Sequence, residues 1–406
     1  MEQEFNMTEL NRTKQKFLGE RGFVGFIAFL GAFIPLSTDI YLPAMPGMVA
    51  NLNTTISLVN LTLVLFFVFY AIGTLFWGPL SDKYGRKPVL LVGLGIYLVS
   101  SVLCAMAWNV YVLIAFRIFQ AIGCGAATAV STAMIKDTFE GAKRVKILAI
   151  VQTMATTSPI VSPVIGAFIL SAISWRGAFI FLALIGALSV LGALVMQETN
   201  NSKSQEKIFK TIGRLGVVAK NKAFMSLLLM FSLLNVAFMS FITASSFIYV
   251  DGFGVSEQMY SYYFSANAVF LLLGPMVYLF LARFISTKNL IKIAYSIIVL
   301  SGIMVVTIGT KSPLLFCLAL IPASLAGNMI GPPRTNLMIE QVDGDTGAAS
   351  SLINGVFTIF GSFGMLLISF NFVDKIILMG SMYILAGTIT LAAWIILARK
   401  SYIIQN

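Results

Sequence analysis

The sequence predicts an all-α polytopic membrane protein, with twelve transmembrane helices in two six-helix halves. Three observations predict it. Of the 406 residues 58% are hydrophobic and 11% charged, with a mean hydropathy of +0.91, whereas a soluble globular chain is about 45–50% apolar and about 25% charged. Apolar runs long enough to cross a bilayer recur twelve times along the chain. The basic residues also gather in alternate loops, as orientation in a membrane requires.

The runs fall at 22–44, 57–79, 88–107, 110–133, 146–170 and 176–197, then at 223–250, 259–282, 290–310, 313–338, 347–370 and 376–397. Before them, residues 1–21 carry four acids and four bases, a flank too long and too mixed for a secretory signal peptide, so the first span is expected to be retained. The longest polar interval, 199–222, sits at mid-chain and divides a half at 22–198 from a half at 223–398; residues 399–406 form a tail. The short basic loop Arg283–Lys288 after span 8 faintly echoes the loop after span 2, as expected of duplicated halves with a site between them.

Of the 27 Lys and Arg residues, 23 lie in the N-terminal segment, the even-to-odd loops, the mid-chain linker, the end of span 10 and the tail; the other loops hold only Arg176, Lys311 and Lys375, and Arg117 lies inside span 4. The positive-inside rule then places both termini in the cytoplasm, in an inner or sole cell membrane. The net charge of +11 is mostly topology with some attraction to anionic lipid, so nucleic acid is not an expected partner.

The three cysteines sit in apolar stretches and there is no histidine. That leaves no disulfide framework, no metal site and no Ser-His pair, so neither an enzyme nor a cofactor is expected. No Gly-Lys dipeptide occurs, which removes the phosphate-binding loop of an ATP-driven pump.

Asp39 is the acid that stands clearly within an apolar run, in Pro35-Leu-Ser-Thr-Asp-Ile-Tyr-Leu-Pro-Ala-Met-Pro46. A carboxylate in a bilayer costs a few kcal/mol and so faces a cavity or a partner. Burial favours the neutral form of a carboxyl, which suits it to carry a proton. Arg117, in Arg117-Ile-Phe-Gln-Ala-Ile-Gly-Cys-Gly125, falls at a similar depth by the helical rise. An ion pair with Asp39, or a bridge through Gln120, is therefore geometrically open, and the sequence does not decide whether the two pair directly. The loop from Gly78 to Lys87, with Asp82, Gly85 and Arg86, reads either as a basic anchor or as a charge latch at a helix end. In span 5, Pro159, Ser162, Pro163 and Gly166 read as a kinked packing helix whose prolines free carbonyls on one side. An apolar pocket with few polar groups is expected from Tyr41, Tyr70, Asn235, Phe238, Phe241, Tyr263, Asn267 and Asn328.

These residues resemble a known family. Gly78-x-Leu80-Ser-Asp82-Lys-x-Gly85-Arg86-Lys87 looks like the major facilitator superfamily signature between spans 2 and 3. Arg117–Gly123 is similar to its span 4 motif, and Ser162-Pro163-x-x-Gly166-Ala167 to its span 5 antiporter motif. Ser37-Thr-Asp-Ile-Tyr-Leu-Pro-Ala-Met-Pro46, Trp175-Arg176-x-x-Phe179, Tyr262-Tyr-Phe-x-x-Asn267 and Gly347-Ala-Ala-Ser-Ser-Leu352 resemble the Bcr/CflA group of drug:proton antiporters.

The resemblance implies an alternating-access exporter, acting as a monomer, that exchanges protons for chloramphenicol- or bicyclomycin-like drugs. In it Asp39 is the proton site, Arg117 and Gln120 its partners, Asp82 a contact against span 11 near Gly347, and Pro163 with Gly166 a packing seam. A dedicated exporter of one metabolite, sugar or siderophore is the alternative. The chain departs from the span 5 pattern at Ser162 and Ala167, where glycines are usual. It also carries Gly31 where cation-exporting relatives hold a second acid.

Overall fold

The computed structural model describes residues 15–200, 208–342, 346–370 and 374–398. Of the expected segments, residues 1–14, 201–207 and the tail 399–406 lie outside the described residues. Twelve spans follow in order. Spans 2 to 6 are Ile56–Tyr84, Arg86–Ala105, Val110–Thr138, Gly141–Ala172 and Trp175–Val195. Spans 7 to 9 are Lys222–Ser246, continued by a π-turn at Phe247–Gly252, then Glu257–Leu281 and Thr287–Thr307. Span 10 is Pro313–Met329 with Gly331–Ile339, and spans 11 and 12 are Thr346–Ser369 and Lys375–Leu397. The linker carries a helix of its own at Ile208–Ala219.

Local chemistry sets these starts. Side chains of Thr55, Asn109, Asn221, Ser256, Ser312 and Asp374 each accept a hydrogen bond from a backbone N–H of the first turn they precede, satisfying donors with no partner inside the helix.

Span 1, expected as one run, is broken into Gly19–Gly31, Phe33–Asp39, a 3-10 turn at Leu42–Ala44, and Met45–Asn51, with a 40° bend. Pro35 has no N–H to offer the carbonyl of Gly31, and Pro43 and Pro46 repeat the interruption further on. Pro332 and Pro333 break span 10 at Ile330 in the same way.

The halves repeat one packing scheme. Span 2 lies on span 4, and span 3 on spans 4 and 6; span 8 lies on span 10, and span 9 on spans 10 and 12. Three equivalent residue pairs are each 201 positions apart. Gly73 meets the backbone of span 4 at Ile122, as Gly274 meets that of span 10 at Asn328. Gly186 meets Leu98 of span 3, as Gly387 meets Val299 of span 9. Lys87 Nζ donates to the carbonyls of Leu194 and Met196 at the end of span 6, as Lys288 Nζ donates to Ala398 at the end of span 12. The echo legible in the loops is thus carried mainly by helix contacts.

Between the halves, span 2 packs on span 11 and span 5 on span 8. Three direct hydrogen bonds join them among the described residues, all in the half of the bundle away from the termini. Ser57 donates to the Ser369 carbonyl at 2.6 Å, Ser261 to Pro163 at 2.9 Å and Ser265 to Ile160 at 2.6 Å. At the termini end Asn200 donates to the carbonyls of Ser81 and Asp82, and the linker helix touches spans 2 and 11.

Candidate functional site

The broken segment of span 1 positions the first functional side chains. Asp39 is the last residue of Phe33–Asp39 and is 4% exposed. Its Oδ1 accepts a 2.8 Å hydrogen bond from Thr38, whose hydroxyl also lies 3.0 Å from the Ile34 carbonyl. Tyr260 of span 8 stands within electrostatic reach of the carboxyl, so the site lies against the second half. Gly166 of span 5 packs directly on the carbonyl of Ile40. A side chain there would push away the backbone beside Asp39.

Arg117 is fully buried in the first half. Its Nη1 donates to the Ser37 carbonyl at 3.0 Å and to Gln120 Oε1 at 2.6 Å, and its Nη2 to the Tyr41 hydroxyl at 3.3 Å. The guanidinium lies 4.1 Å from the Phe66 ring, 4.6 Å from Tyr41 and 5.8 Å from Phe179. Gln120 in turn donates to Ser101, and Ser37 shares a 2.7 Å hydrogen bond with Tyr97. Neither of the two arrangements the sequence left open, an ion pair with Asp39 or a bridge to it through Gln120, is formed. Arg117 and Asp39 lie at similar depth, since Arg117 reaches Ser37 and Tyr41 on either side of Asp39, but the carbonyl of Ser37 occupies the face of span 1 that Arg117 meets. Neutral acceptors and three aromatic faces offset the desolvation of this cation, a cation–π contact being worth about 2 kcal/mol or more when desolvated.

In the loop after span 2, Gly85 adopts φ 108°, a conformation open to glycine alone. Arg86 then faces two acids: it pairs with Asp82 at 2.5 Å and with Asp137 at 2.7 Å, while its Nη1 also donates to Ser81. The carboxylate of Glu198 accepts from the N–H groups of Arg86 and Lys87 at 2.8 and 3.0 Å, capping span 3 where the helix dipole is positive. Asp137 and Glu198 escaped the sequence reading; an acid at the end of span 4 and another just past span 6 were the only signals. The expected loop is only the Gly85 turn, since span 2 runs to Tyr84 and span 3 begins at Arg86; Asp82 therefore lies in the last turn of span 2, remains 45% exposed and pairs with Arg86 across that turn, not with Gly347. A guanidinium four residues on is within reach however the halves sit, and the described bonds between halves lie at the opposite end. Gly78 has open space around it.

In span 5, Ser162 bonds back to the Ser158 carbonyl, and Pro163 and Gly166 are buried while Pro159 is half-buried. The carbonyls used across the halves are those of Ile160 and Pro163. The prolines free those of Ala155 and Pro159 instead.

The expected pocket residues separate into two groups. Tyr41 is sealed in the first half with Thr62 and Arg117, Asn267 in the second with Ser324 and Cys317, and Phe241 stacks on Phe264 at 5.5 Å. Each is buried and packed inside its own half. Tyr70, Asn235, Phe238, Tyr263 and Asn328 are half-buried; Tyr263 stacks on Tyr249 at 5.0 Å, and Asn328 donates to the Leu271 carbonyl.

Two pseudo-equivalent six-helix bundles of membrane-length spans, with the buried Asp39 of the first at their seam, define a multi-pass membrane transporter. Residues 23–365 match the Major Facilitator Superfamily, and the chain belongs to it. It is a membrane transporter of small molecules and not an enzyme. Relatives include an uncharacterized MFS-type transporter, YdgK, of Bacillus subtilis, 28% identical over 89% of this chain and 91% of that one. A bicyclomycin resistance protein homolog of Haemophilus influenzae is 24% identical over 86% and 87% of the two chains. The multidrug resistance protein MdtL of Salmonella typhi is 23% identical over 72% and 74%. Among solved structures, a D-xylose-proton symporter aligns with TM-score 0.70 at 16% identity over 93% of this chain and 97% of that one. A peptide transporter, POT, bound to sulfate, aligns with TM-score 0.73 at 12% identity over 94% and 95%.

Proposed function

We propose that the protein is a drug:proton antiporter of the Bcr/CflA kind, exporting small, largely apolar drugs by alternating access. The observation that carries this reading is Asp39. It is a buried carboxyl without a counter-cation, set in a broken helix at the seam of the halves and pressed by Gly166 of the span 5 motif. The relatives named for bicyclomycin and multidrug resistance support the cargo class. In this reading both termini are cytoplasmic, the membrane is the cell (inner) membrane, and the monomer transports. Residues 22–198 and 223–398 are the two units that rock. Asp39 takes a proton from outside, which favours the inward state, and drug arriving from the cytoplasm drives the proton off. Arg117, itself held by Gln120, holds the Ser37 carbonyl and so the broken segment. Tyr70, Asn235, Phe238, Tyr263 and Asn328 line the drug site. The Gly78–Lys87 loop with Asp137 and Glu198 is the latch that forms and parts at the termini end.

The test is chloramphenicol-induced proton release from the purified protein, wild type beside Asp39→Asn. Release by the wild type and none by the variant is expected. Equal release by both would move the carrier elsewhere, and release by neither would set aside this cargo.

A further inference from the structure

The surroundings of Asp39 supply few hydrogens to its carboxyl. Among the described residues Thr38 alone donates to it, at 2.8 Å, and that hydroxyl has one hydrogen to share between Asp39 and the Ile34 carbonyl at 3.0 Å. A neutral Asp39 resolves the conflict by giving its own hydrogen to the Thr38 oxygen while Thr38 bonds Ile34. An ionised Asp39 takes the Thr38 hydrogen and still has acceptor sites to fill, at 4% exposure. A buried carboxylate left in that state is costly, so a second donor decides how readily the proton leaves.

The second half brings a hydroxyl to the same place. Gly166 of span 5 packs on the carbonyl of Ile40, next to Asp39, and the Pro163 carbonyl one turn earlier accepts from Ser261, next to Tyr260 of span 8. The 3-10 turn that follows Asp39, Leu42–Ala44, packs on spans 7 and 8. Tyr260 is fully buried and stands within electrostatic reach of Asp39. Phe264 at 6.0 Å and Tyr249 at 5.9 Å hold its ring, so its hydroxyl hydrogen turns more easily than the ring does. The hydroxyl shares a 3.1 Å hydrogen bond with Ser245 of span 7, and Ser245 also donates to the Ile242 carbonyl at 3.3 Å. With the Ser245 hydrogen on Ile242, the hydrogen between the two oxygens is that of Tyr260. When Ser245 turns and donates to Tyr260 instead, the tyrosine hydrogen is free for an acceptor across the seam.

The other titratable groups around Asp39 are engaged elsewhere. Span 4 presents Arg117, turned to Ser37, Gln120 and Tyr41, and Cys124 beside Ser37. Tyr97 of span 3 is bonded to Ser37, and Tyr41 to Thr62. Span 5 has no titratable side chain between Lys146 and its end at Ala172, and span 7 none between Lys222 and Tyr249. Tyr249 and Tyr263 stack on one another.

We propose that Tyr260 is a positioning residue for the proton on Asp39: it donates to the ionised carboxyl while the halves are closed at the end away from the termini, and withdraws with span 8 when they part there. Opening at that end leaves Asp39 with Thr38 alone. The carboxyl then holds its proton more tightly facing outside than facing the cytoplasm, the difference that proton-driven exchange needs. The role in transport rests on the antiport reading above; the hydrogen bond itself does not.

The test is an infrared pH titration of the purified full-length chain in maltoside detergent, without drug, reading the C=O band of protonated carboxyls. The part of the band missing in Asp39→Asn belongs to Asp39. Tyr260→Phe removes the donor and keeps the ring, so the charged form loses support and the Asp39 midpoint is expected to rise by about one pH unit, roughly a tenfold gain in proton affinity. A ring-fluorinated tyrosine in place of Tyr260 is a stronger donor of nearly the same shape and should lower the midpoint. It also keeps the proposal open to refutation should Tyr260→Phe fail to fold.

Midpoints unchanged in the folded variants, or moved in the same direction by both, would overturn the proposal, because a change in packing alone does not follow donor strength. A wild type that releases protons with chloramphenicol beside a Tyr260→Phe protein that titrates as wild type would sink this inference alone. Opposite shifts in the two variants of a protein that releases no proton with chloramphenicol would support the hydrogen bond and sink only the antiport reading.

Discussion

Gly166→Ala tests whether span 5 must touch the broken part of span 1 backbone to backbone. A Cβ at this position would overlap the carbonyl oxygen of Ile40 and come within 2.8 Å of its carbonyl carbon and 3.2 Å of its Cα. All three obstacles are backbone, so no rotamer change relieves them. Regaining ordinary contact at 3.4–4 Å requires span 5 to move by about 1 Å or more, in an interior with few voids to take up the shift. Overpacking of this kind costs about 1–3 kcal/mol. If that cost falls only on the conformer in which the two segments touch, its population drops about 5- to 150-fold against any conformer in which they part. The displaced residues are Ile40 and, beside it, Asp39. The expected outcome is therefore a folded protein with drug-induced proton release reduced at least about fivefold. The matched control is Gly355→Ala in span 11, where an added Cβ meets nothing within 4 Å; it should behave as wild type. Thermal unfolding in detergent and drug-stimulated proton release, measured on both, form the assay. A Gly166→Ala protein with wild-type melting temperature and wild-type release would refute the reasoning.

Other perturbations follow from the same contacts. Gly85→Ala meets both a φ of 108° and the Glu198 carboxylate 2.6 Å from the new Cβ; it should cost about 1–3 kcal/mol, visible as a lowered melting temperature. Shortening that carboxylate away in Glu198→Ala removes the acceptor of four backbone N–H groups, those of Arg86, Lys87, Thr199 and Asn200, and should cost about 1–2 kcal/mol in the same measurement. Ser57→Ala with Ser265→Ala removes two of the three direct bonds joining the halves. At about 0.5–1.5 kcal/mol each, their loss should increase the population open at the far end. Spin labels at the exposed Ile173 and Met259, on spans 5 and 8, would report it as a longer distance component, and an unchanged distribution would count against these bonds as a closure.

What the sequence disclosed was whatever depends on one helix at a time. Span number, the burial of Asp39 and Arg117, and the loop from Gly78 to Lys87 follow from hydropathy, charge and local spacing. What it withheld depends on which face one helix turns to another. Arg117 and Asp39 were placed at one depth by counting residues, yet the rotation of a proline-broken helix decides that the guanidinium meets the Ser37 carbonyl instead. Arg86 and Asp137 are 51 residues apart, and the backbone of Arg86 and Glu198 112 apart. No periodicity along the chain reports such pairs. Aromatics in spans were equally ambiguous: Tyr41 and Tyr263 look alike in sequence, but one is sealed against Thr62 and the other is half-buried.

The repeat and the charges obey different rules. Glycines and lysines 201 residues apart build the same helix crossings twice, because close backbone approach and capped helix ends are demands of the scaffold. Carried along that spacing, Gly85 and Arg86 fall on Ser286 and Thr287, so the second loop has neither the glycine turn nor the guanidinium, and Asp82 falls on Arg283. The cost of placing an ion in a bilayer leaves charges only where something uses them. In the first half that is the Asp137–Arg86–Asp82 chain, the caged Arg117 and Asp39; in the second it is Arg334, set against the Phe357 ring and beside the Tyr295 hydroxyl. Halves alike in packing and unlike in charge supply the asymmetry that the proposed coupled exchange needs, with Asp39 as its proposed proton site on one side of the seam.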